Sequence, residues 1–276
     1  MVLVILTDFS EAAGNAAAYA AGLSRQLPVD KVVFYHSIDT AHMATELPLP
    51  TESERKHLYD VSARKFRELK AELQGRLGDH LPVVLLTDER PLELSAAAVA
   101  EESDADLVLL GARHRSGLGR LLHESTASMV AEVCTRPVLV IPENCRYEPI
   151  RNILFATDLR QVATVPAPRI KLLRGRMGAS LFILNISGGD SPEPDRLMAE
   201  QAALHALFDD DKPEIHYSPE KHVVAGILRF VSDHDIQLVI TVPRGHSFVD
   251  SIFHPGITKT LVSESGTPLL LLHPGT

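Results

Sequence analysis

The chain repeats itself, and this constrains its fold more than any single motif. Asn152-Ile153-Leu154-Phe155-Ala156-Thr157-Asp158 restates the opening Ile5-Leu6-Thr7-Asp8, with Asp158 falling 150 residues after Asp8. Asp235-Ile236-Gln237-Leu238-Val239-Ile240 restates Asp104 to Leu109 at an offset of 131. Thr267-Pro268-Leu269-Leu270-Leu271 restates Arg136-Pro137-Val138-Leu139-Val140 at that same offset. Single apolar strands match by chance; three matches in one order, two of them at one offset, do not. The falling offset places a deletion midway through the second copy, where the long segment Thr51 to Leu77 has only Asp195 to Leu207 as its counterpart. A chain of 276 residues then reads as two domains of ordinary size. The polar stretch Glu143 to Pro149 is the expected linker, giving domains 1–142 and 150–276.

Within each copy, short apolar runs alternate with longer amphipathic ones, the pattern of parallel βα units. Val2 to Leu6 is a predicted strand. Ser10 is a predicted N-cap for an Ala-rich helix over Glu11 to Gln26. Strands follow at Lys31–His36, Pro82–Thr87, Asp106–Leu110 and Pro137–Ile141. Helices are expected at Thr51–Leu77, Leu92–Glu102 and Ser125–Cys134. The continuous apolarity of Leu107-Val108-Leu109-Leu110 predicts burial on both faces.

Composition narrows the function classes. Hydrophobic residues at 45% supply a core, and 27 basic against 36 acidic residues give a net charge of -9. That balance disfavours nucleic acid as a partner. Two cysteines fit a reducing cytoplasm. The N-terminus has no basic leader, and no apolar run reaches the length of a membrane span. A cytoplasmic protein with no membrane partner is expected.

Ligands of open parallel sheets gather at the carboxyl ends of strands. That places Thr7-Asp8, His36-Ser37 and the loop from Gly111 to Ser125 at the mouth of the first copy. The loop reads Gly111-Ala112-Arg113-His114-Arg115-Ser116-Gly117-Leu118-Gly119-Arg120-Leu121-Leu122-His123-Glu124-Ser125. With the duplication, this loop makes the chain resemble a tandem universal stress protein over essentially its whole length.

The resemblance implies two flavodoxin-like α/β domains, akin to the adenine-nucleotide hydrolases, each a five-stranded parallel sheet flanked by helices. It also implies an adenine-nucleotide motif of Gly-x-x-Gly, nine residues, then Gly-Ser or Gly-Thr. Gly111 matches the first Gly, and Ser125 the closing Ser before Thr126, whereas His114 and Glu124 replace the second and third glycines. The acidic residue that contacts the nucleoside falls on Asp8, next to Thr7, and the adenine-framing position on Ser37. By their own chemistry Arg113, Arg115 and Arg120 read either as a grip on phosphate or as a solvated basic loop. In the second copy the corresponding residues are Asp158 and Ile186, with Gly245 and Gly256 in a loop that opens on Val242 and carries Pro255. The motif is degraded in both copies.

The same conclusion follows from the residues themselves. Phosphate loops use glycine so that backbone N–H groups approach closely, and a helix N-terminus adds unpaired donors. The ring of His114 fills that space, Glu124 brings a like charge to the helix start, and Pro255 removes a donor. ATP, ADP or AMP is therefore expected only weakly, in the first copy, with Mg²⁺ only where ATP binds. His114, His123 and Glu124 show no ligand spacing, so no metal is expected. Ser187-Gly188-Gly189-Asp190-Ser191 is similar to the pyrophosphate loop of ATP-dependent ligases but is one residue short and follows the second strand. Asp209-Asp210-Asp211 reads as a solvated loop, and Arg169, Lys171, Arg174 and Arg176 as an exposed helical face. Cys134 reads as core, and Cys145 in the linker as more exposed.

No nucleophile is paired with a base, so no catalytic residue is named. The reading is a non-enzymatic stress-response module, regulatory or interacting. An ATP-binding switch or slow ATPase, and an ATP-using ligase or hydrolase of related fold, stay open as alternatives. The resemblance further implies pairing of the two domains through their fifth strands within one molecule, with a homodimer as a further assembly.

Overall fold

A computed structural model describes residues 1–38, 50–73, 75–77, 81–112, 126–159, 161–186, 194–242, 260–261 and 264–274. The chain divides into two compact units, Met1–Tyr147 and Glu148–Thr276.

The first unit runs β1 (Val2–Leu6), α1 (Glu11–Leu23), β2 (Lys31–Ser37), α2 (Glu52–Leu73), β3 (Val83–Asp88), α3 (Leu92–Glu102), β4 (Leu107–Ala112), α4 (Thr126–Val133) and β5 (Val138–Pro142). Its strands lie in the order β3-β2-β1-β4-β5. β1 pairs in parallel with both β2 and β4, with Ile5 opposite Phe34 and Leu109. Leu3, Val4, Ile5, Val108 and Leu109 are fully buried, as continuous apolar runs in a covered parallel sheet must be. Ser10 caps α1 by accepting from the Ala13 N–H at 3.3 Å. The helix buries Ala12, Ala13, Ala16, Ala17, Ala20 and Ala21, whose small side chains let it lie close to its surroundings.

Residues 143–147 belong to this unit because α1 holds them. Asn15 donates to the carbonyls of Pro142 and Cys145 at 3.0 and 2.8 Å. The Tyr147 ring packs edge-on to Tyr19 and its hydroxyl donates to Gln26. Gly22 is the residue that admits Tyr147, since a Cβ there would stand 2.2 Å from the ring. Cys145, expected to be more exposed, is buried for this reason, and Cys134, read as core, is buried as well.

The second unit runs β6 (Asn152–Thr157), a 3-10 turn (Val162–Thr164), α5 (Ala167–Met177), β7 (Ser180–Ile186), α6 (Pro194–Phe208), a 3-10 turn (Asp209–Asp211), β8 (Glu214–Ser218), α7 (Val223–Asp233), β9 (Leu238–Thr241) and β10 (Leu269–Leu271). Its strand order is β8-β7-β6-β9-β10, which is the first unit's order again. The repetition extends to single hydrogen bonds. Asp106 exchanges bonds with Val2, its N–H donating to the Val2 carbonyl and its carboxylate accepting the Val2 N–H. Gln237 does the same with Asn152. Asp104 and Asp235, the matching residues two positions earlier, share left-handed φ values of 51° and 49°.

The units differ where α1 and α5 begin. Pro166 and Pro168 delay α5, and a 3-10 turn stands where α1 would already be helical. The acidic run also differs from its expected solvated loop. Asp211 is only 12% exposed and is gripped by Lys171 at 3.2 Å and Arg174 at 3.1 Å. Two of the cations expected on an open helical face are thus committed to it.

Candidate functional site

β1, β2 and β4 of the first unit end side by side. Since the strand order departs in opposite directions from β1 and β4, their carboxyl ends flank the crevice where such sheets seat ligands. Thr7 closes β1 and is tied three ways. Its N–H donates to the Tyr35 carbonyl at 2.9 Å, its Oγ1 accepts from the Phe9 N–H at 3.0 Å, and its carbonyl accepts from His36 Nδ1 at 2.8 Å. The carbonyl can only accept, so Nδ1 of His36 carries the hydrogen. This knot holds Phe9 at φ 59°, an uncommon conformation for an aromatic residue. Asp8 accepts the Ser10 N–H at 2.9 Å, a tight Asx turn, and its side chain is exposed.

Around this turn sits an aromatic group. Phe9 packs against His36 at 4.5 Å and against Phe66 at 4.9 Å, with the Lys65 ammonium 5.2 Å from the Phe9 ring. Burial pushes the His36 imidazole below its ordinary pKa and the Lys65 charge adds to this, against the opposing bond to Thr7 and the charge of Asp8. The ring is accordingly neutral at neutral pH.

At the end of β2, Ser37 donates from Oγ to the Arg90 carbonyl at 2.6 Å. Beside it Asp88 accepts from the Tyr35 hydroxyl at 2.8 Å, from the Arg90 N–H at 2.9 Å and from Arg90 Nε at 2.8 Å. Burial alone would raise the Asp88 pKa, but the Arg90 and Tyr35 bonds prevail and hold it below the usual carboxylate range. Tyr35 is pushed up to about 12, chiefly by burial, and the thiol of Cys134 to about 11 for the same cause. Neither is a nucleophile at neutral pH.

Gly111, at the end of β4, approaches α1 so closely that a Cβ would stand 2.1 Å from the Ala12 carbonyl oxygen and 2.4 Å from its carbon. Its first requirement is this backbone contact, which leaves no room for any side chain. Thr126 is exposed in the first turn of α4. Arg113, His114, Arg115, Glu124 and Ser125 lie outside the described residues.

The second unit rebuilds the turn with different electrostatics. Thr157 accepts the Leu159 N–H at 3.3 Å, Leu159 has φ 53°, and Asn185 donates to the Thr157 carbonyl at 3.1 Å in the place of His36. Asp158, however, is 7% exposed, and the Ile186 side chain is buried beside α7 near Gly226. Val242, buried, holds the position of Gly111. Gly245 and Gly256 lie outside the described residues.

Sequence reasoning missed the His36–Thr7 bond, the left-handed Phe9 and the Tyr35–Asp88–Arg90 network. The repeated Thr-Asp was the available signal for the turn, because both copies build it on the threonine.

The universal stress protein family matches this chain over residues 1–142. Among solved structures, the chain is similar to a universal stress protein from Archaeoglobus fulgidus DSM 4304, with 14% identity and a TM-score of 0.75 over 99% of this chain and 96% of that one. It is also similar to a functionally unknown protein from Pseudomonas aeruginosa PAO1, with 13% identity and a TM-score of 0.55 over 99% and 92%. At these identities the likeness shows the fold. No curated protein matches. No described helix is long and apolar enough to cross a membrane.

Proposed function

The chain belongs to the universal stress protein family, and from that premise we propose that it is a regulatory, non-enzymatic stress-response module whose first unit takes an adenine nucleotide weakly. The observation that carries the asymmetry is the contrast between Asp8, exposed, and Asp158, buried, at the same turn of the two units. An exposed carboxylate fixed by the Ser10 N–H is preorganised to accept hydrogen bonds from the two hydroxyls of a ribose. Thr7 sets the turn, Ser37 and the Arg90 carbonyl border the adjoining strand end, and Gly111 brings β4 against α1. In this reading Thr126 and Ser125, with Arg113, Arg115 and His114, border the phosphates, and Glu124 weakens the site by repulsion.

The second unit stays empty on this reading. Its carboxylate is enclosed and Ile186 replaces the polar Ser37. Calorimetric titration with ATP and Mg²⁺, followed by product analysis, tests the proposal. Weak binding without turnover is expected; rapid ADP formation would replace the module with an enzyme.

A further inference from the structure

We infer that the second unit carries a Zn²⁺ site formed by Glu214, His216 and His234, independent of any nucleotide. One ligand atom from each of the three residues lies within 4.8 Å of the other two. Glu214 and His216 are two apart on β8, which places their side chains on one face of the strand. His234 ends α7, the helix that follows β8. Glu214 begins its strand, so the cluster sits at the opposite end of the sheet from Asp158 and Ile186.

The tautomer of His234 fits a metal ligand. His234 Nδ1 lies 3.2 Å from the Phe230 carbonyl, which can only accept, so the hydrogen is on Nδ1 and Nε2 keeps its lone pair. An imidazole ligand commonly has its second nitrogen tied to a carbonyl in this way, which fixes both tautomer and orientation. The His234 ring is also clamped by stacking on Phe230 at 3.8 Å with an 8° interplanar angle. His216 lies edge-on to Phe230 at 4.9 Å and to His234 at 5.2 Å. Both imidazoles are therefore held in place by packing.

Glu214 supplies the third donor. Its Oε1 is 2.7 Å from His216 Nε2. Two ligands of one tetrahedral Zn²⁺ with bonds of about 2.0–2.2 Å stand roughly 3.4 Å apart. Metal binding displaces the hydrogen that His216 Nε2 shares with this carboxylate, and the carboxylate moves out by less than an ångström, which its 60% exposure allows. Two histidines and one carboxylate form the donor set of zinc centres that keep a fourth position for water.

The equivalent positions of the first unit carry no such set. Strand register and helix ends place Val84, Leu86 and Ser103 at the positions of Glu214, His216 and His234. The three donors are thus a local departure from an otherwise repeated frame.

The test uses the full-length protein, Zn²⁺ in competition with a chromophoric chelator, and Co²⁺ as a spectroscopic substitute. We expect one saturable Zn²⁺ per chain, a tetrahedral Co²⁺ spectrum, and a melting temperature that rises with Zn²⁺. His216→Gln and His234→Gln should each weaken binding by at least about tenfold. Exposed Glu214→Gln, which leaves the packing intact, should weaken it too, whereas His57→Ala on α2 should not. Absence of saturable binding to the parent protein, or binding unchanged in both histidine variants, overturns the site. Circular dichroism confirms that each variant is folded.

Discussion

His36 donates from Nδ1 to the backbone carbonyl of Thr7 at 2.8 Å, and Asn185 makes the same bond to Thr157 at 3.1 Å in the second unit. Two different side chains thus serve one structural purpose, the fixing of a strand end in a left-handed turn. Only one of them titrates.

That difference predicts a pH dependence. Burial lowers the folded pKa of His36 below its unfolded value of about 6.5. The unfolded state therefore takes up the proton first. The contribution to stability is complete above that value and is lost as the pH falls from there toward the lower folded pKa. His36→Asn, the second unit's own solution, should keep the bond while flattening the fall in stability between pH 7.5 and 5.5. It should cost about 1–2 kcal/mol at neutral pH through the lost ring packing on Phe9 and Phe66. Urea unfolding at the two pH values checks both effects; an unchanged pH slope contradicts the first.

Gly111→Ala should destabilise the protein by about 1–3 kcal/mol. The added carbon meets the α1 backbone at Ala12, which no rotamer change relieves. Denaturant unfolding with an unchanged midpoint would show that β4 and α1 yield more readily than this contact suggests.

Asp211→Asn should cost about 1–3 kcal/mol, because it leaves Lys171 and Arg174 facing a neutral, enclosed partner. The loss should persist at high salt, since a pair this enclosed is screened little. Thermal melts at low and high salt measure it.

Glu124→Gly should tighten ATP binding, and Pro255→Gly should not. Two like charges about 4 Å apart cost roughly 1 kcal/mol in water and 4 kcal/mol near a protein surface. The gain is then on the order of 5- to 1000-fold in affinity. Parallel titrations of the two variants and the parent decide this; no change in Glu124→Gly removes repulsion as the limit on the site.

Much of the fold is legible in the residues because the repeat supplies two readings of each element. Val2 to Leu6, Ser10 as a cap, and Leu92 to Glu102 stand where the pattern puts them. Asp8 and Asp158 show where legibility ends. The Thr-Asp pairs are alike in sequence, but one carboxylate is exposed and the other enclosed, a difference that the dipeptide itself does not carry. Asp211 is similar, since its partners Lys171 and Arg174 come from another element. Glu214 and His216 share a face by simple strand alternation, yet His234 joins them only through the path of α7.

The central claim is that the first unit alone takes nucleotide through Asp8. Calorimetric titration of ATP and Mg²⁺ into the parent, Asp8→Asn and Asp158→Asn tests it most directly. Asparagine keeps the acceptor for the Ser10 N–H, so the Asp8 turn survives while the charge is removed. The account predicts weak binding to the parent, a loss of about tenfold or more in Asp8→Asn, and parent-like binding in Asp158→Asn. Binding that survives in Asp8→Asn and disappears in Asp158→Asn would contradict it.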